Sequence, residues 1–264
     1  MIAKERQQQI IKLLEQQQVV TIQYLSEYFS VAVITVRRDL DALAKAGLIE
    51  KTYGGASLPA GKLYPAQTNT RYSSRAVDSL KEKQAIAAMA SELITPGETV
   101  FLDTGTTVSE LAKLIKHRTD ITVVTNSLAV VNELMDSSIR FFCVGGWIER
   151  EQLLFTANGT DSYLDNFCFS HYFCGAGGVS VQTGVTNFCY DSIYQRKAVL
   201  ARSASSVLLT DSKKFEVTAP FVTAPLSAFH TLITDSNISG KHRNELLAAG
   251  IGLLIAAPSG EIDA

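Results

Sequence analysis

Two stretches of this 264-residue chain hold residue types at spacings that could do chemistry. The first is the pair Arg37 and Arg38, set in VAVITVRRDLDALAKAGLIEKTYGGA, an amphipathic run from Val31 to Ala56 that ends at a glycine pair. Arginine's planar fork binds guanine O6 and N7 bidentately or clamps a phosphate. The second is FLDTGTTVSELAKLI, Phe101 to Ile115, where an apolar run ends at Asp103 and a turn of small residues opens a helical pattern. Backbone N–H groups at a helix N-terminus attract anions, and the Thr106 and Thr107 hydroxyls add donors. Asp103 suits a sugar hydroxyl.

Other strand-like runs end in the same way. Asn126 and Ser127 follow ITVVT, Gly145 and Gly146 follow RFFCV, Gly175 to Gly178 follow HYFC, and Asp211 follows SVLLT. In open α/β sheets ligands collect at the carboxyl ends of the strands, so these ends are expected to converge on one pocket. The plainer alternative is that small polar residues merely punctuate strand-to-helix turns. Their joint occurrence favours the pocket. GAGGVS departs from the dinucleotide fingerprint because Ser180 holds the last glycine position, and no GxxxxGK[ST] run is present, so neither NAD binding nor nucleotide hydrolysis is expected.

The elements that must position these residues are legible in the spacing. Ile10, Ile11, Leu13 and Leu14 predict a helix from about residue 3 to 17. Thr21 reads as the N-cap of a short helix carrying Tyr24, Leu25, Tyr28 and Phe29, with a tight turn at Ser30. From Val33 to Ala46, Val36, Leu40 and Leu43 form an apolar stripe, Thr35, Arg37, Arg38, Asp39 and Asp41 take the polar side, and Gly47 is a good C-cap. LIEKTYGGA then suits a β-hairpin. Helix, short helix, turn, basic helix and hairpin make the order of a winged helix-turn-helix, with the turn motif at about residues 20–39. There the second helix of the pair enters the major groove. An isolated RRD would read as a solvated helix face with Arg–Asp pairs worth about 0.2–0.5 kcal/mol each; the surrounding order favours DNA.

These readings give a DNA-binding domain over residues 3–58 and a linker over 59–78, marked by Pro59, Gly61 and Pro65. A larger domain over 79–264 follows, in which TVFLD, ITVVT, RFFCV, HYFCG, SVLLT, TLIT and GLLIAA alternate with helical patterns. Its fold class is α/β with a largely parallel sheet. A content of 46% hydrophobic and 19% charged residues supplies real cores, and the net charge of −2 means that any nucleic-acid contact depends on local charge. The four cysteines form no CxxC pair, so no metal site or cofactor is expected and they read as core residues in a reducing compartment. The N-terminus is too polar for a signal peptide and the apolar runs fall short of the roughly 20 residues that span a bilayer, which points to the cytoplasm and away from membranes.

VTIQYLSEYFSVAVITVRRDLDALAKAGLIEKTYGGA resembles the N-terminal domain of the DeoR family of bacterial transcription regulators. Leu25, Phe29, Val31, Thr35, Arg37, Arg38, Asp39, Leu40, Leu43, Gly47, Gly54, Gly55 and Ala56 match the family motif. Val36, Lys51, Tyr53 and Ala32 stand where the motif has isoleucine, arginine, histidine and serine. Arg75, EK at Glu82 and Lys83, LDTGTT, VTNS, GG at Gly145, GAGG, GVT from Gly184 and LLTDSKKF resemble the family's C-terminal domain, itself similar to ribose-5-phosphate isomerase and related sugar-phosphate folds. The resemblance implies a repressor of carbohydrate-metabolism genes that acts as a dimer or tetramer on operator DNA and is controlled by a phosphorylated sugar or related metabolite. Thr35, Arg37, Arg38, Lys51 and Tyr53 would contact DNA. Asp103, Gly105, Thr106, Thr107, Asn126, Ser127, Gly145, Gly146, Gly175, Thr186 and Lys214 would form the effector site, although Lys214 beside Lys213 also reads as a solvated lysine. RK at Arg196 and Lys197 and the stretch after Gly146 depart from the family pattern.

The alternative is a sugar-phosphate isomerase-like enzyme with a DNA-binding appendage, in which Asp103 and Asp211 serve as general bases and His171 as an acid. His171 lies inside the strand-like FSHYFC, where a hydrogen-bonded structural histidine is the commoner case. Ala32 precedes the basic helix where serine would cap it, and alanine at an N-cap costs about 0.5–2 kcal/mol. Ala32→Ser is therefore expected to raise the melting temperature of the DNA-binding domain without abolishing operator binding. A lowered melting temperature would contradict this placement of the cap.

Overall fold

The computed structural model describes residues 6–7, 9–10, 13–14, 19–45, 49–52, 54–57, 71–156, 164–189 and 192–257. The chain divides into two compact units, Met1–Thr68 and Asn69–Ala264.

In the first unit Arg6, Gln7, Gln9, Ile10, Leu13 and Leu14 are helical, within the span expected from periodicity. Strand β1 (Val19–Thr21) leads into α1 (Ile22–Phe29), whose N-cap is Thr21, its side chain accepting from Tyr24 N at 3.1 Å. Ser30 ends α1 in the left-handed region with φ 53°, and α2 (Val33–Lys45) follows. Strands β2 (Glu50–Thr52) and β3 (Gly55–Ser57) form the expected hairpin around Gly54, φ 85°. Strand β1 joins it, giving the antiparallel order β1-β3-β2; three residues carry too short a pattern to announce that strand. Gly55 is needed for this approach, because a Cβ there would lie 2.1 Å from Val20 O. Ile10, Leu14, Leu25, Val36, Leu40 and Ala56 lie at the centre of the core. Gly47 and Tyr53 lie outside the described residues.

One residue of α2 departs from expectation. Asp39 was placed on the polar side but is 3% exposed, because it continues the inward stripe of Val36, Leu40 and Leu43. Its Oδ2 pairs with Arg6 Nε at 2.5 Å and its Oδ1 accepts from Gln7 Nε2 at 3.1 Å. The helical N-terminal segment thus supplies the charge that makes an inward carboxylate tolerable.

The second unit begins with a helix where a linker was expected. Helix α3 (Tyr72–Val77) precedes α4 (Leu80–Ser91), and from there strands and helices alternate. The main sheet contains β4 (Thr99–Leu102), β5 (Thr122–Thr125), β6 (Arg140–Cys143), β9 (Phe169–Gly175), β12 (Ser203–Leu209), β14 (Thr231–Asp235) and β15 (Gly252–Ala256). Each overlaps one of the seven apolar runs read as strands, although β9 and β12 begin two and three residues before theirs. They pair in parallel in the order β15-β14-β12-β9-β4-β5-β6. Helices α5 (Thr106–Ile115), α6 (Leu128–Leu134), α7 (Ser192–Ala201) and α8 (Gly240–Ala248) lie between them in the chain.

Parallel sheets are covered on both faces, so their strands read as near-continuous apolar runs. Here Val100, Leu102 and Phe173 belong to the core on one side with Leu111 and Val130, while Phe101, Tyr172 and Cys174 belong to the other with Val199 and Leu246. Two smaller elements carried no clear pattern: the hairpin β7 (Trp147–Glu149) with β8 (Leu154–Thr156), and the antiparallel set β10 (Gly178–Ser180), β11 (Gly184–Asn187) and β13 (Phe221–Ala224). Cys174 is buried, but Cys168 is exposed and Cys143 and Cys189 are half-buried, so the cysteines are not uniformly core residues. Among the described residues no helix is long and apolar enough to cross a membrane.

Strand order reverses between β4 and β9: the chain builds outward through β5 and β6 on one side and through β12, β14 and β15 on the other. That switch point opens a crevice at the carboxyl ends of β4 and β9. In the first unit, Asp39→Ala removes the carboxylate that neutralises buried Arg6. It is expected to destabilise that unit by about 3 kcal/mol or more, read as a lowered first transition in thermal unfolding of the full chain; an unchanged transition would contradict the buried pair.

Candidate functional site

On α2, Ile34, Arg37, Arg38, Asp41 and Lys45 share the outward face and are exposed, and Thr35 is half-buried beside them. The intrahelical Arg–Asp pairs of an ordinary solvated face are not made: Asp39 is engaged by Arg6, and Asp41 Oδ1 by Lys51 Nζ at 2.6 Å. Arg37 and Arg38 make no ion pair among the described residues, and both are exposed in the first half of the helix. Lys51, on the β2 side of the hairpin, is tied to α2 by an exposed pair, the kind that contributes little to stability.

In the second unit a cleft opens at the switch point. Thr104, Gly105, Thr106 and Thr107 from the turn after β4, Gly175 at the end of β9, and Thr210, Asp211 and Lys214 after β12 line it; Arg75, Gln152, Asn187, Ser192 and Arg196 complete the polar lining. Gly105 is the N-cap of α5 with φ 155° and ψ 146°, a region essentially open to glycine alone. Ser109 N donates to Gly105 O at 3.0 Å, so helix geometry leaves the amides of Thr106, Thr107 and Val108 without intrahelical acceptors. They form the positive end of a ten-residue helix at the cleft.

Two guanidinium groups add to this charge. Arg196 on α7 is 3% exposed, with Nε 3.0 Å from Asp103 Oδ2 and Nη1 3.4 Å from Gly175 O. Burial works against its charge, but the combined attraction of Asp103, Cys174, Tyr172 and Cys189 outweighs it and raises its pKa. Arg75 on α3 donates from Nη2 to Gln152 Oε1 at 2.7 Å, while its buried Nε has no hydrogen-bond partner. Burial lowers the pKa of Arg75, and repulsion by Arg196 lowers it further. Like charges brought this close at one cleft are a reason for an anion to enter it.

Helix α3 is pinned by the same region. Tyr72 N donates to Glu151 O at 2.8 Å and its phenol donates to Ser109 Oγ at 2.5 Å. Buried Lys83 donates to the carbonyls of Arg75 and Asp78. Burial brings its pKa down to about 8, against the attraction of Asp211.

The residues expected at a ligand site separate into two groups. Gly105, Thr106, Thr107, Gly175 and Lys214 line the cleft. Lys214 is half-buried there, while its neighbour Lys213 pairs with Asp78 at 2.8 Å. Asp103, Asn126, Ser127, Gly145, Gly146 and Thr186 do not line it. Asp103 is wholly buried behind it: Oδ1 accepts from Thr104 N at 2.7 Å and Asn126 Nδ2 at 3.0 Å, and Oδ2 from the Tyr172 phenol at 2.7 Å. Asn126 also donates to Gln195 Oε1 at 2.6 Å. Ser127 is the N-cap of α6, and Thr186 Oγ1 links Gly178 O to Ala219 N. Gly145 and Gly146 lie in the turn from β6 to β7, Gly146 with φ 141°.

Arg75, Gln152, Asn187, Ser192 and Arg196 were not among the expected site residues. The sequence marks Arg75 only as a match to the family pattern and Arg196 only as a departure from it, because nothing local distinguishes a cleft arginine from a solvated one. His171 lies near the start of β9, with Nδ1 3.3 Å from Glu98 Oε2, whereas the cleft is at the strand's end. It is thus apart from Asp103 and Asp211, as a structural histidine would be.

A winged helix-turn-helix unit joined to an α/β unit with a charged cleft defines a DNA-binding transcription regulator with a small-molecule sensor domain. Residues 6–61 match the DeoR-like helix-turn-helix domain and residues 78–236 the DeoR C terminal sensor domain. The chain belongs to the DeoR family. It is 30% identical over 233 residues to the glycerol-3-phosphate regulon repressor of Escherichia coli K12, covering 88% of this chain and 90% of that one. It is 31% identical over 237 residues to the transcriptional repressor AccR of Agrobacterium fabrum, with 88% and 90% covered. The HTH-type transcriptional regulator GolR of Listeria innocua is 30% identical over 255 residues, with 96% and 98% covered. Among solved structures, ribose 5-phosphate isomerase A of Methanocaldococcus jannaschii aligns with TM-score 0.38 and 19% identity over 50% of this chain and 52% of that one. The protein is a regulator of transcription rather than an enzyme.

Proposed function

We propose that this protein is a repressor of carbohydrate-metabolism genes whose hold on operator DNA is set by a phosphorylated sugar or related metabolite bound in the switch-point cleft. The observation that carries the reading is the convergence of the α5 N-terminus, the Thr106 and Thr107 hydroxyls, and the Arg75 and Arg196 guanidinium groups on one cleft. A helix N-terminus with charged donors around it fits a dianionic phosphate. The relative named for the glycerol-3-phosphate regulon supports the same ligand class. Arg196 would grip the phosphate with its forward edge, held in place from behind by Asp103.

At the other unit, Arg37 and Arg38 would meet the major groove from α2, with Thr35 beside them and Lys51 at the wing; Tyr53 completes the expected set. One winged domain buries too little surface for strong specificity, so a dimer or tetramer would present two such helices to a two-fold operator. DNA binding would belong to residues 3–58, and the connection that starts at 59 would end before α3, whose Arg75 lines the cleft, leaving the residues from α3 to 264 for sensing and assembly. Effector control would be a population shift, the ligand favouring the arrangement with lower operator affinity and the operator disfavouring the ligand by the same factor.

The test uses an operator selected by the wild-type protein from a random DNA pool. Arg37→Ala and Arg38→Ala should each weaken binding by about 1–3 kcal/mol with folding unchanged. A phosphate-contacting arginine should also reduce the salt slope of binding by about one. Wild-type affinity in both variants would remove α2 from the interface.

A further inference from the structure

Three acids occupy the carboxyl ends of β4, β12 and β14 in the main sheet, and two of them are fully engaged. Asp103, after β4, accepts hydrogen bonds at both oxygens and pairs with Arg196. Asp235, ending β14, accepts from Ser212 N at 2.6 Å and Asn237 N at 3.0 Å. Asp211, after β12, differs. It is 3% exposed and lines the cleft, yet its buried Oδ1 has no hydrogen-bond partner, and no donor reaches its carboxylate among the described residues. Lys214 and Lys83 attract it without bonding to it: Lys83 donates hydrogen bonds to the carbonyls of Arg75 and Asp78, and among the described residues Lys214 donates only its backbone N–H, to Asp211 O at 3.0 Å.

Buried polar atoms are almost always hydrogen-bonded, and an unpaired one carries a desolvation cost until a partner arrives. A carboxylate has only acceptors to offer, so it repels a phosphate and welcomes a hydroxyl. The cleft therefore has an anion-binding part, at the α5 N-terminus and the two arginines, and an acceptor part at Asp211. We infer that Asp211 is the specificity-determining residue of the cleft: its carboxylate accepts hydrogen bonds from the ligand's hydroxyl groups and selects a phosphorylated polyol over a phosphate ester that lacks hydroxyls. The inference rests on the phosphate-binding reading of the cleft and adds what the rest of the ligand must carry.

The experiment is calorimetric titration of the full chain with three sets of probes: phosphorylated sugars and polyols of three to six carbons, alkyl phosphates of matching length, and inorganic phosphate. Wild type should bind its best phosphorylated polyol at least about tenfold more tightly than the matching alkyl phosphate, the discrimination expected of one hydrogen bond to a buried charge. Asp211→Ala should bring that ratio to within about threefold of unity while alkyl phosphate binds as well as before or more tightly, since a repelling charge is gone. Asp211→Asn, which keeps the shape and one acceptor oxygen, should fall between the two, and covers the case in which the alanine variant fails to fold. A ratio that survives in Asp211→Ala or Asp211→Asn, or equal loss of both ligand types, would overturn the inference and leave the phosphate-binding reading intact. If no phosphate ester binds wild type, both fall.

Discussion

The sensor unit is organised around a buried ion pair at its topological switch point. Asp103 and Arg196 are almost wholly removed from solvent, and charges so placed are tolerated only when their remaining hydrogen-bonding capacity is met. Asp103 meets this condition through Thr104, Asn126 and Tyr172, which come from the turn after β4, the end of β5 and the middle of β9. One carboxylate thus ties three adjacent strands together and holds an arginine from α7 at the cleft. A neutral residue at position 103 would leave Arg196 buried without a counter-charge. The placement of Arg196 at the cleft depends on Asp103 even though Asp103 does not line it.

The same device appears in the first unit with the opposite consequence. Asp39 is drawn inward by Arg6 and Gln7, and Asp41 is drawn sideways by Lys51. Both acids of the RRDLD run are therefore spent on partners outside the helix, and neither neutralises Arg37 or Arg38. Local charge at the start of α2 is positive in a chain whose net charge is −2. A major-groove helix requires that local excess.

Sequence alone disclosed what depends on local pattern. The seven apolar runs became seven strands because residues buried on both sheet faces leave an unbroken signature, and Thr21 capped α1 because an N-cap bonds only three residues ahead. The DTGTT turn was legible for the same reason, glycine and small hydroxyl residues being required where a strand feeds a helix. What depends on distant contacts was not legible. Asp103 looked like a ligand contact until Arg196 met it from α7, and Asp39 looked solvated until Arg6 met it from the N-terminal helical residues. Arg75 lay in the 59–78 stretch that Pro59, Gly61 and Pro65 marked as a linker, and only its helix and its bond to Gln152 bring it to the cleft.

The central claim is that the α5 N-terminus, backed by Arg75 and Arg196, is a phosphate site. It is tested most directly by a crystal structure of the chain with the tightest-binding sugar phosphate found by titration. The account predicts phosphate oxygens within about 3 Å of the amide nitrogens of Thr106 and Thr107, with Arg196 on the phosphate and Asp103 still behind it. A phosphate bound elsewhere, with the α5 N-terminus left to solvent, would contradict it.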